Sequence, residues 1–159
     1  MQDVLKSSIL QAIYREAQRS GQPIYCIVDD TIASHTRPSS QAVHPIEAAY
    51  FHQSHLKGCQ DYGHQVVSVM LSCNGITLNY AVILYDKSRS KIQIVQEIAE
   101  ELPAAPVISY FLCDSWYTTA KVMDRFIRKG FYTVGALKTN RILYPCGIRQ
   151  KASAFALHL

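Results

Sequence analysis

Two segments decide how this chain folds: IYCIVDDT at residues 24–31 and VISYFLCDSWY at residues 107–117. Each contains a short run of apolar, β-branched and aromatic residues, which predicts a buried strand. The first run ends in Asp29 and Asp30, and the second ends in Asp114. Carboxylates held at the ends of neighbouring strands would bind Mg²⁺ or Mn²⁺, because such ions prefer carboxylate oxygens together with water and phosphate. The chemistry that fits such a site is two-metal phosphoryl transfer on nucleic acid.

The residues around these segments predict an α/β fold. Apolar side chains recur at helical spacing over residues 3–19, before Gly21 and Pro23, and predict an N-terminal helix. Asn74-Gly75 lies between two apolar runs and is the strongest short signal for a hairpin. By the same spacing rules we predict strands over 64–73, 76–85, 107–113 and 131–137, and helices over 90–102 and 117–129. This order predicts a mixed sheet with a parallel part, in which ligands bind beyond the carboxyl ends of the strands.

The segment from residue 31 to residue 62 is polar and has no clear period. Loops of about thirty residues are unusual inside a compact domain and are usually functional or partly helical. We therefore treat 31–62 as a loop insertion and predict a short helix at 46–51.

Composition excludes several classes of protein. The 159 residues suit one domain, and a net charge of +4 permits a polyanionic partner without requiring one. No run of 18 apolar residues is present and the N-terminus lacks a secretory pattern, so we expect neither a membrane span nor export. The five cysteines are odd in number and dispersed, which favours reduced thiols in the cytoplasm over a disulfide framework.

Four motifs in this order resemble the catalytic domain of DDE transposases from bacterial cut-and-paste insertion sequences. They are IVDDT at 27–31, GHQ at 63–65, FLCDSWY at 111–117 and GFYTVGALKTNR at 130–141. The resemblance implies a ribonuclease H-like mixed sheet with the order β-β-β-α-β-α-β, preceded by the N-terminal helix. It covers roughly residues 20–150.

The resemblance also implies a mechanism and a partner. In the family, two Asp and one Glu hold two Mg²⁺ ions, and water and then a DNA 3′-hydroxyl attack a phosphodiester at the transposon end. By similarity the first acid is placed at Asp30, directly before Thr31, with Asp29 as the alternate. Only one of the two can face the metal, because neighbouring side chains on a strand point to opposite faces. The second acid matches Asp114. The implied partners are transposon-end and target DNA, with a possible homodimer of the full-length protein and no membrane.

The third acid of the family, a Glu within a downstream Tyr-Arg-Glu-Lys signature, has no match in this sequence. We therefore expect a fragment: an N-terminal helical segment at 1–22, a partial catalytic core at 23–150 and the start of an insertion domain at 151–159. Such a fragment is expected to be inactive alone, so its status as an enzyme stays open. The alternatives are a non-catalytic ribonuclease H-like domain for DNA binding or oligomerisation, and an aspartate-dependent phosphohydrolase. The latter is disfavoured because it needs Asp-x-Asp after the first strand.

The acidic residues also have structural interpretations. Asp30 and Asp114 would then only cap turns or helices, since Asp is a favoured N-cap. Glu97, Glu100 and Glu101 lie off the apolar stripe of their helix and are expected to be solvated. Asp124 is expected to form an exposed ion pair with a neighbouring Lys or Arg.

The basic and aromatic candidates also have both a functional and a structural interpretation. Lys138 and Arg141 follow the last strand. They would either contact DNA phosphate or be solvated side chains with no partner role. His64 opens a strand and is a further phosphate candidate, whereas His52-x-x-His55 lacks partners at a zinc spacing. Two aromatic residues, Trp116 and Tyr117, would stack on a base or pack in the core.

Overall fold

The computed structural model of the chain describes residues 2–39, 46–54 and 57–158. It is an α/β structure in which an N-terminal helix precedes a mixed sheet, as the sequence predicted. Its helices are α1 (Gln2–Ser20), α2 (Lys91–Glu101), α3 (Ala120–Arg128) and α4 (Ala152–Phe155). Its strands are β1 (Ile24–Ser34), β2 (Tyr50–Ser54), β3 (Cys59–Cys73), β4 (Ile76–Tyr85), β5 (Ser109–Cys113), β6 (Phe131–Gly135), β7 (Ile142–Leu143) and β8 (Gln150–Lys151).

The main sheet has the order β2-β3-β1-β5-β6, with β4 also paired to β3. Strand β3 runs antiparallel to β1, β2 and β4, whereas β1, β5 and β6 are parallel. Strands β2 and β4 follow one another along the same side of the long strand β3. This arrangement is compatible with the ribonuclease H-like fold, and the predicted fold class is confirmed.

Three helices cover one face of the sheet. On β1 the side chains of Ile24, Cys26 and Val28 are buried in a core shared with α1, α2 and α3. The opposite face carries Tyr25, which is partly exposed and begins a row of three tyrosines across β1, β5 and β6. Adjacent rings of this row, Tyr25, Tyr110 and Tyr132, lie 5.6 and 5.7 Å apart between centroids. The two faces of β1 therefore have different surroundings.

The hairpin and the helix ends follow local sequence signals. Asn74 and Gly75 have φ angles of 48° and 80°, which is the backbone of a type I′ turn, and they join β3 to β4. Ser90 caps α2, because its side chain accepts the backbone N–H of Gln93 while the Gln93 side chain accepts the N–H of Ser90. Gly130 follows the C-cap of α3, and its φ of 86° is the left-handed backbone with which helices commonly end.

The segment predicted as a loop insertion is more regular than expected. Strand β1 continues to Ser34, the predicted strand at 64–73 already begins at Cys59, and β2 adds one further strand to the sheet. The short helix predicted at 46–51 is wrong, because Tyr50 and Phe51 belong to β2 and Ala48 has a φ of 55°. The extended parts of β1 and β3 pack closely, since a side chain at Gly63 would overlap the carbonyl of Ala33.

The last described residues dock on the loop that follows β6. Strands β7 and β8 form a small antiparallel pair. The backbone N–H groups of Ala152 and Ser153 donate to the carbonyls of Arg141 and Thr139 over 2.7 and 3.2 Å. Among the described helices, none has a stretch long and apolar enough to cross a membrane.

Candidate functional site

The two acid-bearing strands are neighbours in the sheet. Their parallel register runs to Val28 opposite Cys113, so Asp29 and Asp114 are the next residues on the two strands. Neighbouring strands lie about 4.8 Å apart. The fold therefore brings these two carboxylates to the same edge, although they are 85 positions apart in the sequence (114 − 29).

Asp29 and Asp114 use their oxygens in the same way. One Asp29 oxygen accepts the backbone N–H of Asp30 over 2.8 Å. One Asp114 oxygen accepts the N–H groups of Trp116 and Tyr117 over 2.9 and 3.4 Å. Both aspartates are exposed, and among the described residues the other oxygen of each carboxylate receives no hydrogen bond. Each can therefore offer a fixed, water-accessible oxygen to a cation.

Asp30 lies on the helix-covered face and has very different contacts. One of its oxygens accepts the hydroxyl of Tyr117 over 2.9 Å. The other accepts the Lys91 ammonium over 2.8 Å and the Gln65 amide over 2.5 Å. The side chains of Asp30 and Lys91 are each only 14% exposed. This carboxylate therefore joins β1 to β3, to α2 and to the turn after β5.

The hydroxyl of Tyr117 donates to Asp30 and is also influenced by the charges of Asp114 and Asp29. Burial raises its pKa far above the usual range, and the negative charges of Asp30, Asp114 and Asp29 raise it further. The side chain is fully buried, so the core interpretation holds for this residue. The hydroxyl keeps its proton and remains a donor to Asp30.

The turn that carries Asp114 is fixed to the next strand. The Thr118 hydroxyl lies 2.9 Å from the carbonyl oxygen of Asp114 and 2.8 Å from that of Ala136. Gly135 permits this approach, because a Cβ there would be only 2.5 Å from the Thr118 hydroxyl oxygen. Helix α3 begins later, after Thr119, so Asp114 caps the turn and does not cap the helix.

Trp116 projects from the same turn and is 44% exposed. The Lys91 and Lys138 ammonium groups lie 4.9 and 5.2 Å from its ring centre. Lys138 is thus close to the acidic edge. Arg141 is exposed at the end of the same loop, where its backbone N–H donates to the Lys138 carbonyl over 3.0 Å.

His64 is held by its neighbours. Its Nδ1 lies 2.8 Å from Nε2 of His35, and its Nε2 lies 2.8 Å from the carbonyl oxygen of Glu47. Both nitrogens are therefore occupied within the protein. His52 is buried, whereas His55, the other histidine of the pair for which a zinc site was disfavoured, lies outside the described residues.

The helical acids lie away from the edge. All three are about half exposed, as predicted for solvated side chains. Each pairs with a basic residue: Glu97 with Arg89, Glu100 with Arg125 and Glu101 with Lys6. Asp124 is exposed, but among the described residues it forms no ion pair, contrary to the prediction, and Arg125 and Arg128 pair with Glu100 instead. In the described part of the chain, no group of three or more His, Cys, Asp and Glu is placed to hold a metal ion.

Sequence reasoning missed the residues that surround Asp30. Lys91 and Gln65 are 61 and 35 positions from it; Gln65 belongs to the GHQ motif at 63–65 but was not assigned to the site, and Lys91 belongs to no motif. Only the position of Lys91 at the start of a helix that follows the hairpin hinted that it would reach the carboxyl end of the sheet.

Comparison with known proteins gives one family. The sequence model of the family described as "Transposase DDE domain" matches residues 20–153. Neither the curated proteins nor the solved structures give a match.

Proposed function

Since the chain belongs to the transposase DDE domain family, we propose that it forms part of a catalytic domain that binds divalent metal through Asp29 and Asp114. The metal would be Mg²⁺ or Mn²⁺, and the reaction would be cleavage and strand transfer of DNA at the ends of an insertion sequence. The single observation that carries this proposal is the pair of neighbouring strand ends, each with one uncommitted carboxylate oxygen.

The choice between Asp29 and Asp30 rests on their surroundings. The sequence favoured Asp30 as the ligand, with Asp29 as the alternate. The carboxylate of Asp30 already accepts three hydrogen bonds, one of them from a nearly buried ammonium group. A cation would have to displace Lys91 to bind there, whereas Asp29 offers a free oxygen next to Asp114. We infer that Asp29 is the metal ligand and that Asp30 is a positioning residue for the turn that bears Asp114.

Each part of the site has a distinct task under this proposal. A bound metal ion would polarise the scissile phosphate and favour ionisation of the attacking hydroxyl. Asp29 and Asp114 would hold it, while Tyr117 and Asp30 keep the two strand ends in register. Lys138, next to Trp116, would contact a DNA phosphate without reading the sequence. Arg141 is a second candidate for such a contact, and His64 is a weaker one because its nitrogens are engaged.

Two carboxylates alone are a weak site for Mg²⁺, which gives up its water reluctantly. We therefore propose that this chain binds metal weakly and does not cut DNA by itself. A plasmid-nicking assay in Mn²⁺ tests the second statement. Robust cleavage that survives Asp114→Ala would show that these acids are not the catalysts.

Metal binding can be tested by following free Mn²⁺ by electron paramagnetic resonance during titration of the protein. Asp29→Asn and Asp114→Asn should each weaken binding by about tenfold or more, which corresponds to a loss of about 1.4 kcal/mol. Neither change should alter the urea midpoint. The exposed Asp124 provides a matched control, and Asp124→Asn should bind Mn²⁺ like the parent chain.

Asp30→Asn separates the two assignments. It should lower the urea midpoint and retain more of the Mn²⁺ affinity than Asp29→Asn. The opposite pattern would assign the ligand to Asp30: loss of Mn²⁺ binding at unchanged stability, with Asp29→Asn binding like the parent chain.

A further inference from the structure

The outer edge of β4 has no partner in the described part of the chain, where β3 is the only strand that pairs with it. A groove of about 580 Å³ follows this edge, and residues 79–84 of β4 line it without interruption. Successive side chains of a strand point to opposite faces, so an unbroken run of lining residues indicates a groove along the backbone edge itself. The exposed backbone of such an edge can pair with a further strand.

Helix α1 covers only the first half of β4. Near the end of α1, Glu16 accepts the side-chain amide of Asn74 over 2.7 Å, at the hairpin turn that precedes β4. Near its start, the Lys6 ammonium lies 5.5 Å from the centre of the Tyr80 ring. The helix therefore runs beside the first half of the strand, and residues 81–85 lie largely beyond it.

The second half of β4 is apolar and unprotected. A bulge separates it from the first half, because the pairing with β3 skips Tyr80, and a bulge bends the strand that carries it. Beyond the bulge, Val82 and Leu84 are 53% and 44% exposed on the face of the sheet without helices. Residues 76–85 contain neither a charged residue nor a proline, which are the residues that usually keep an exposed edge from pairing.

The charged side chains that line the groove are already paired with one another. Lys6 pairs with Glu101 near the bulge, and Arg89 pairs with Glu97 beyond the other end of the strand. The groove therefore offers no net charge, and it suits an uncharged strand better than an acidic or a basic peptide. The second half of β4 is itself such a strand, so a second copy of this chain carries a matching partner.

We propose that two copies of the chain associate through antiparallel pairing of their β4 strands, which continues one sheet into the other. A two-fold axis at Ile83 makes residues 81–85 of both copies overlap and keeps the bulge outside the paired segment. Val82 of one copy then lies opposite Leu84 of the other, and apolar pairs of this kind stabilise neighbouring strands. The contact uses neither the acidic edge nor the proposed metal ion.

The surroundings of β4 fit this arrangement in two ways. Antiparallel pairing brings the bulged end of one strand to the far end of the other, so the Lys6–Glu101 pair of each copy faces the Arg89–Glu97 pair of its neighbour. Both signs of charge are then present on both sides. Helix α1 lies beside the first half of each β4, so it stays outside the paired segment in both copies.

Sedimentation velocity in EDTA and without DNA measures this association independently of the proposed function. The parent chain should sediment with the mass of two chains. Val82→Lys should weaken the association about tenfold or more, because it places a charge against Leu84 of the other copy. Val134→Lys is the matched control, since Val134 is 54% exposed on the same face but belongs to β6 at the opposite edge of the sheet. It should sediment like the parent chain.

A charge-swap experiment tests the register of the two strands. The variants Val82→Lys/Leu84→Lys and Val82→Glu/Leu84→Glu should each be monomeric, because like charges then lie directly opposite one another. An equal mixture of the two should recover the mass of two chains, because opposite charges meet. Amide hydrogen exchange of the parent chain needs no substitution: the amides of residues 81–85 should exchange more slowly as the protein concentration rises.

Three results would overturn the inference. A parent chain that is still monomeric at about 1 mM would leave the groove to a strand of another protein. Loss of association in Val134→Lys, with Val82→Lys unaffected, would assign the contact to β6. Failure of the mixed variants to associate, although circular dichroism shows each to be folded, would exclude antiparallel pairing at Ile83.

Discussion

Asp29 and Asp30 are consecutive residues of the same type, yet the two faces of β1 give them opposite surroundings. Asp29 is exposed on the face without helices and uses one oxygen for a local backbone contact. Asp30 points to the helix-covered face and receives an ammonium, an amide and a hydroxyl from three other elements. The difference separates a carboxylate that can bind an external cation from one that holds the protein together.

This comparison explains why two adjacent acids are not redundant. Side chains alternate between the faces of a strand, so no small movement exchanges them. Charge alone does not distinguish their tasks; the number and origin of the hydrogen-bond donors do. Stability measurements can therefore test the comparison independently of DNA or metal.

The largest effect is expected from Asp30→Ala. It leaves the nearly buried Lys91 ammonium without its partner, and removing one member of a buried ion pair costs about 3–5 kcal/mol. Asp29→Ala should change the free energy of unfolding by no more than about 0.5 kcal/mol, as for other exposed positions. Urea denaturation of both variants measures the difference in their free energies of unfolding. Equal losses of stability would contradict the distinction between Asp29 and Asp30.

A smaller effect is expected from Tyr117→Phe. The hydroxyl donates to a charged carboxylate, and such a hydrogen bond contributes about 1.5–3 kcal/mol. The same change at Tyr132, which is exposed in the tyrosine row, should be nearly neutral. If Tyr117→Phe were also neutral, Asp30 would not depend on the turn that carries Asp114.

The smallest effect concerns pH and His52, which lies near Lys87, Lys91 and Asp30. Burial and then Lys87 lower the pKa of this imidazole below its usual value, although the Gly63 backbone and Asp30 oppose the shift. The folded state therefore binds a proton less readily than the unfolded chain. The stability that this provides is complete above about pH 6.5 and is lost as pH falls through the lowered pKa.

His52→Phe should flatten this part of the pH profile, which thermal unfolding at a series of pH values would measure. The slope lost should not exceed about 1.4 kcal/mol per pH unit, the limit for one proton. His158→Gln, at an exposed histidine, should keep the parent profile. An unchanged profile for His52→Phe would mean that this imidazole titrates alike in the folded and unfolded chains.

The sequence predicted those parts of the fold whose signals are local. The Asn74-Gly75 turn, the apolar stripe of α2 and the apolar runs of β1 and β5 all produced the expected elements. Strand β2 was not predicted, because YFHQS has no alternation of its own and forms a strand only by pairing with the start of β3.

The meeting of two acid-bearing strand ends was predictable, whereas the choice of the metal ligand between Asp29 and Asp30 stays a prediction. Carboxylates at the ends of two apolar runs were expected at one edge of the sheet, and Asp114 is at that edge. The sequence did not show which side chains of β1 face the helices. Tyr25 and Ile27 on the open face are as apolar as Cys26 and Val28 on the helix-covered face. The partner of Asp30, Lys91, is determined only by the packing of α2 on the sheet.

The hairpin between β3 and β4 also bears on the order in which the chain folds. Its two strands are joined by two residues, so they can pair early, whereas Asp29 and Asp114 meet only after a chain segment of more than eighty residues has been closed. We therefore expect the acidic edge to form late in folding. A cation bound there would slow the opening of the finished sheet, and it would do little to speed its formation.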